Sequence, residues 1–113
     1  MKRGKIIGVN FPFTDLSGSK IRPALVVSRS DRSDPDVMVA FIGSYRGAAL
    51  GQADLLLEDT ASSFPQTGLR HSSVVKLDKL TTVAMSVVRG EFGEIDDLLL
   101  AETDRLLRHA LEL

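Results

Sequence analysis

Apolar positions along this chain fall into short runs rich in β-branched residues, separated by polar segments carrying glycine and proline, and only the C-terminal segment changes period. Ile6, Ile7, Val9 and Phe11 make a first run between Gly4 and Pro12, which predicts a strand. The turn formers from Pro12 to Lys20 predict a loop that returns the chain antiparallel into a second strand, Ala24 to Ser28. Residues 29–36 predict an exposed connection, and Val37 to Ile42, bounded by Asp36 and Gly43, a buried third strand. Gly43 to Gly51 predicts a flexible surface loop. Asp54 to Leu57 predicts a short strand, and Glu58 to Gly68 a second long loop. In Ser73 to Leu77 the alternation puts Val75 and Leu77 on one face and Lys76 on the other. Leu80 to Val83 predicts an extension of the sheet after a bend, and Val87-Val88 before Gly90 a last short strand.

Beyond this the spacing becomes helical. Ile95, Leu99, Leu106, Ala110 and Leu113 form a stripe that Leu98 and Leu107 widen, with Asp96, Asp97, Glu102, Asp104, Arg105 and Arg108 mostly opposite. Glu94, Asp96 and Asp97 at the start and Arg105, Arg108 and His109 near the end match the helix dipole. Short strands followed by one terminal helix predict a mainly β, α+β protein: a small antiparallel, partly barrel-like sheet with a C-terminal helix.

Composition narrows the class. At 113 residues the chain is expected to form one domain, residues 1–113. A 43% hydrophobic, 26% charged composition with mean hydropathy +0.07 is that of a soluble globular protein. Net charge −1 argues against a broad basic surface, so a phosphate site must be built from a few placed cations. With no cysteine and two separated histidines, disulfides and thiolate metal sites are excluded, and neither a metal nor a cofactor is expected. The basic N-terminus leads into a run broken by Gly8, Asn10 and Pro12, too short for a signal peptide, and no apolar run approaches the roughly 20 residues of a membrane helix. A cytoplasmic protein with no membrane association is expected.

Candidate chemistry lies in Asp15 to Arg22, Gly43 to Arg46 and Lys76 to Lys79. Arg22, before Pro23 at the mouth of the second strand, offers a permanently charged fork of donors for phosphate. If strands two and three run antiparallel, Arg22 and Ser44 share an edge, with Gly43 leaving backbone amides accessible. Such a set suits RNA cleavage, because the substrate's own 2′-OH can attack the adjacent phosphorus while the protein stabilises charge and moves protons. Asp78 could take the 2′-OH proton, and Lys76 neutralise the phosphate or donate to the leaving oxygen. Taken singly, each has a blander reading: Ser44 as a turn serine, Lys76 as a solvated strand residue, Asp78 as a turn acceptor. Asp15, Ser19, Lys20, Gly43, Tyr45, Arg46, His71 and Lys79 are candidate substrate contacts; Tyr45 and Phe64 are the obvious loop aromatics for stacking bases, and each is read as a packing residue ahead of a base platform. His109, near a helix end, is set aside as a dipole partner.

Lys2-Arg3-Gly4-Lys5-Ile6-Ile7-Gly8-Val9-Asn10-Phe11-Pro12, then Gly18-Ser19 and Arg22-Pro23-Ala24-Leu25-Val26-Val27-Ser28, resemble the opening of the MazF/PemK (Kid) toxins. Val39 to Ser44, and Gly68 through Ser73-Val74-Val75-Lys76-Leu77-Asp78-Lys79, are similar to later family segments in the same order. The resemblance implies an SH3-like β-barrel with a C-terminal helix, a homodimer, and a metal-independent, sequence-selective endoribonuclease acting on single-stranded mRNA. It also implies a cognate antitoxin whose disordered acidic tail blocks the RNA groove. By the same resemblance Arg22 matches the family's catalytic arginine, Lys76 and Asp78 its basic and acidic pair, and Ser44 lies next to the position of its catalytic threonine. The chain departs from the family at Gly43, which stands where that threonine is expected. Lys20 replaces an acidic loop residue, and Lys79 stands where glutamine is common. A member that binds RNA or antitoxin without cleaving, and a gyrase-poisoning relative on the same barrel, are the alternatives.

Overall fold

In a computed structural model, which describes residues 1–12 and 19–113, six strands form one antiparallel sheet. They are β1 (Lys5–Pro12), β2 (Ser19–Val26), β3 (Asp36–Ser44), β4 (Asp54–Leu57), β5 (Ser73–Ala84) and β6 (Val88–Glu94), followed by helix α1 (Asp97–Leu111). Their order across the sheet is β4-β5-β3-β2-β1-β6. Short 3-10 turns at Phe64–Thr67 and Met85–Val87 precede β5 and β6.

The near-continuous apolar runs arise because both faces of the central strands are buried. Ile6, Leu25, Ala40, Ile42, Val75 and Leu77 point to the helix side, where Leu106 of α1 and Ile95 complete the core. Their neighbours Ile7, Val9, Ala24, Val26, Val37 and Val39 point the other way. That second face is closed by the curl of the sheet itself, which brings Val83, Val87 and Val88 over it. The Met85 N–H donates to Pro35 O at 2.8 Å and pins the turn that closes the curl. Leu25 and Leu77 are fully buried, and truncating such a leucine to alanine costs about 2–5 kcal/mol.

Several boundaries differ from those the pattern predicts. β2 begins at Ser19 rather than Ala24, because β1 supplies a partner down to Pro12. Pro23 is accommodated inside it because β3 pairs with β2 only at Ala24, Leu25 and Val26, so that side of Pro23 has no ladder to interrupt. Arg22 therefore lies within a strand, not at its mouth. β3 runs on through Gly43 and Ser44, paired with Val74 and Ser73, where a loop was expected. β5 is one strand with a bulge: Ala40 pairs with Leu80 but Ile42 with Val75, which leaves Lys76 to Lys79 outside the β3 ladder. The Leu77 N–H instead donates to Ala53 O at 3.0 Å, beside β4.

In α1, Asp96 caps the start by accepting from the Leu99 N–H at 2.8 Å. The inward stripe is Leu99, Leu100, Thr103, Leu106 and Leu107. Leu98 and Leu113, expected in the stripe, are 82% and 80% exposed. Leu98 lies about 100° around the helix from Leu99, and Leu113 follows Glu112, whose left-handed φ of 57° ends the helix. The fully buried Thr103, absent from the apolar pattern, satisfies its hydroxyl by donating to Leu99 O at 2.8 Å. No helix among the described residues is long and apolar enough to cross a membrane.

Candidate nucleic-acid groove

Because β2 and β3 pair only along Ala24–Val26 and Val39–Phe41, they splay apart beyond. The gap is a groove of about 700 Å³. Lys20, Ile21, Arg22 and Pro23 of β2 form one wall and Ile42, Gly43 and Ser44 of β3 the other, with Gly68 to His71, Ser73 and Phe92 closing it. Lys20, Arg22, Arg70 and His71 thus meet in one depression, and no acidic side chain lines it among the described residues. In a chain with 14 basic and 15 acidic residues, this is a local segregation of charge. It creates positive potential where a polyanion can bind.

The loop bearing Arg70 and His71 is held from both ends. The Thr67 hydroxyl donates to Phe64 O at 2.7 Å and accepts from the Leu69 N–H at 3.1 Å. Gly68 takes the left-handed φ of 72°, and a Cβ there would meet Phe92 O at 2.0 Å, so only glycine permits the turn. On the other side the Ser73 hydroxyl donates to His71 O at 2.7 Å, and the Tyr45 N–H donates to Ser72 O at 2.8 Å. The cations of this loop are consequently presented from a fixed backbone.

Strand pairing assigns the faces. Arg22 lies opposite Val9 and two residues from Ala24, so it leaves the sheet on the face away from the helix. Gly43, two residues from Phe41, belongs to that same face; Ser44, next to Gly43 and two residues from Ile42, belongs to the helix side. Ser44 lines the groove with Arg22, and because Gly43 and Ser44 are consecutive residues of a regular strand, the Ser44 hydroxyl leaves β3 on the face opposite to a side chain at position 43. Nothing lies within 4 Å of where a Gly43 Cβ would be, and its φ is not positive, so neither packing nor backbone demands glycine.

Lys76, Asp78 and Lys79 do not line the groove. They sit on the β5 bulge, one strand beyond β3. Lys76 Nζ contacts Asp54 Oδ2 at 2.9 Å, and that same oxygen accepts the Gly51 N–H at 2.7 Å. Burial pushes the Asp54 carboxyl up, but these two hydrogen bonds and the charges of Lys76 and Lys79 together outweigh it and hold the carboxyl below its ordinary range. Asp78 and Lys79 are exposed. Lys76 leaves on the face opposite Val75 and Leu77, as alternation predicts, and so shares the face of Arg22.

Of the remaining candidates, Lys20 and His71 line the groove, while Tyr45 and Arg46 follow β3 without lining it. Phe64 is buried in the helix-side core and unavailable as a base platform. Ser19 is placed as the backbone partner of Pro12, and Asp15 lies outside the described residues. Sequence reasoning missed Arg70, Leu69, Ser73 and Phe92. Arg70 beside His71 was the available signal; the strand carrying Phe92 was predicted too short to include it. Among the described residues no group of three or more His, Cys, Asp or Glu is placed to hold a metal.

A curled six-stranded sheet with a C-terminal helix and a cationic groove at a strand splay defines a small β-protein equipped to bind a polyanion. Residues 2–111 match the family model of PemK-like, MazF-like toxins of type II toxin-antitoxin systems, and the chain belongs to that family. Solved structures are similar throughout. An endoribonuclease in complex with its cognate antitoxin from a mycobacterial species superposes with a TM-score of 0.75 at 19% identity, covering 100% of this chain and 96% of that one. A MazE–MazF structure from Deinococcus radiodurans gives 0.76 at 20% identity over 100% and 96%. The Mycobacterium tuberculosis toxin MazF-mt6 gives 0.72 at 20% identity over 96% and 97%. No curated protein sequence matches the chain.

Proposed function

We propose that this toxin is a metal-independent endoribonuclease that cuts single-stranded mRNA selectively, as a single-domain protomer of a cytoplasmic homodimer controlled by a cognate antitoxin. The observation that carries the reading is the segregation of Lys20, Arg22, Arg70 and His71 into a groove whose described lining has no carboxylate. The solved relatives described as an endoribonuclease with its antitoxin and as MazE–MazF support the partner, and the acidic antitoxin tail would compete for the same positive groove.

In this mechanism Arg22 grips the non-bridging oxygens of the scissile phosphate and stabilises the added charge as the 2′-oxygen attacks phosphorus. The 5′-oxygen leaves, giving a 2′,3′-cyclic phosphate and a 5′-hydroxyl. Asp78 and Lys76 stand on the β5 segment one strand beyond the groove lining, so the scissile phosphate must lie at that edge of the groove. There Asp78 takes the 2′-OH proton and Lys76 supplies one to the departing oxygen. An ammonium has three donors, so one given to Asp54 leaves others for substrate. Lys20, Arg70, His71 and Ser44 hold the flanking nucleotides, while Lys79, Tyr45 and Arg46 extend the contact surface beyond the groove. Incubation of purified protein with long single-stranded RNA in EDTA tests the reading, the expected result being discrete fragments ending in cyclic phosphate. A second reading, binding without cleavage, is favoured by the missing hydroxyl at Gly43; RNA shifted on a gel but left intact would select it.

A further inference from the structure

Aromatic side chains are scarce in this chain, with five phenylalanines, one tyrosine and no tryptophan. Among the described residues most are engaged away from the groove. Phe64 is in the core, and Phe11 and Phe41 pack edge to face with ring centroids 5.2 Å apart. Phe92 is different: it lines the cationic groove and remains 40% exposed. Two close backbone approaches that only glycine allows, at Gly68 and Gly93, hold the turn and strand beside it, and its ring tip lies in tight contact with a third glycine, Gly8. A Cβ on Gly8 would come within 2.9 Å of the tip of the Phe92 ring and 2.8 Å of Ile21 Cγ2. A Cβ on Gly93 would meet Gln66 O at 2.1 Å, and one on Gly68 would meet Phe92 O at 2.0 Å. The ring is therefore set against β1 by Gly8 and braced by Ile21, while its backbone abuts the turn that leads into Arg70.

Resting on the ribonuclease reading above, we propose that Phe92 is the platform on which one base of the bound single strand stacks, a nucleobase subsite beside the phosphate-binding cations. Single-stranded nucleic acid is held by charges that follow its backbone and by aromatic faces that take its bases, and stacking tolerates any base. Lys20, Arg22 and Arg70 supply the first element of that pattern and Phe92 the second. Phe92, set against Gly8 and Ile21, takes the helix-side wall that Ser44 shares, and Lys20 and Arg22 leave β2 on the other face, so a bound strand would cross the groove from one to the other. A platform already immobilised by packing loses little freedom on binding. Phe92 is a substrate-positioning residue here; it moves no proton.

Because the chain has no tryptophan, Phe92→Trp introduces a single indole reporter at the subsite. The probes are a mixed-sequence 2′-O-methyl oligonucleotide, which lacks the attacking hydroxyl, and an abasic oligonucleotide of equal length and charge. Both are expected to bind by anisotropy, and only the base-bearing one to quench the indole. Phe92→Leu, which keeps an apolar side chain against Gly8 and Ile21, should melt near the wild-type temperature. It should bind the mixed oligonucleotide about tenfold more weakly with an unchanged salt slope. Arg70→Ala should instead lower that slope by about one. Equal quenching by both probes, wild-type affinity in Phe92→Leu, or quenching by an acidic peptide alone would overturn the assignment. RNA cleavage by the wild type alongside any of these would leave the ribonuclease reading standing; oligonucleotide binding by no variant, wild type included, would overturn both.

Discussion

Two cationic regions of this protein are treated oppositely by the fold. At the splay of β2 and β3, Lys20, Arg22 and Arg70 line an open depression with no carboxylate among its described lining residues. At the β5 bulge, Lys76 is bound to a carboxylate that is itself only 4% exposed. The basic side chains are of similar kind, but the neighbours differ. At the splay, two strands part and leave their polar positions facing solvent, so a bound phosphate displaces only water. At the bulge, the lysine already neutralises Asp54, and withdrawing it would leave a buried charge unpaired. A cation next to a catalytic-looking motif is thus available to substrate only as far as its structural partner permits.

The sharpest way to break this contrast is Arg22→Ala. If Arg22 is the phosphate clamp, cleavage of single-stranded RNA in EDTA should fall by about 100-fold or more, with an unchanged melting temperature because Arg22 is exposed. Retained activity would remove the groove from the mechanism. Gly43→Thr should act in the other direction. It places a hydroxyl on the face of Arg22, in space free of neighbours within 4 Å. One added hydrogen bond to a charged group should raise the cleavage rate about tenfold, and a flat response would show that the glycine is not what limits the chemistry.

At the bulge the first effect of mutation should be on stability. Lys76→Ala is expected to lower the urea midpoint by the equivalent of about 1–2 kcal/mol, below the cost of breaking a fully buried pair because Lys76 is 44% exposed. Asp54→Asn combined with Lys76→Met should recover most of it. The same pair sets a pH dependence. The Asp54 carboxyl lies below its ordinary range when folded, so its contribution is present above the unfolded value near pH ~4 and is lost as pH falls through the folded value. The urea midpoint should therefore drop more steeply below about pH 4 in the wild type than in Asp54→Asn, and equal slopes would show that the pair contributes nothing. The smallest effect is expected from Ser44→Ala. Its hydroxyl belongs to the helix-side face and reaches a flanking nucleotide, not the phosphate at Arg22, so cleavage should fall by less than about tenfold, and a loss comparable to Arg22→Ala would overturn the face assignment.

Much of the fold was legible because local pattern and tertiary burial agree. The run from Val37 to Ile42 reads as a doubly buried strand and is one, with Val37 and Val39 serving one core and Ala40 and Ile42 the other. The acidic start of the helix was equally readable, since Asp96 caps its own chain at short range. Leu98, expected in the stripe, is exposed, and Thr103, which the apolar pattern does not include, is buried, because a helical stripe is a range of angles and only docking on the sheet selects which side of that range is covered.

What the sequence determined by itself was therefore the alternation and its interruptions: where strands pass, where the helix begins, and that Arg22 precedes a proline and an apolar strand. Tertiary structure alone decided the companions of Arg22. β3 leaves β2 after a short ladder, the pairing of β4 with β5 sets Lys76 opposite Asp54, and β6 carries Phe92 over Gly8 to the same groove as Arg70. Each of these depends on pairing between segments far apart in the chain. Periodicity, which is local, reports which face a residue takes on its own strand but not which residues will stand across from it.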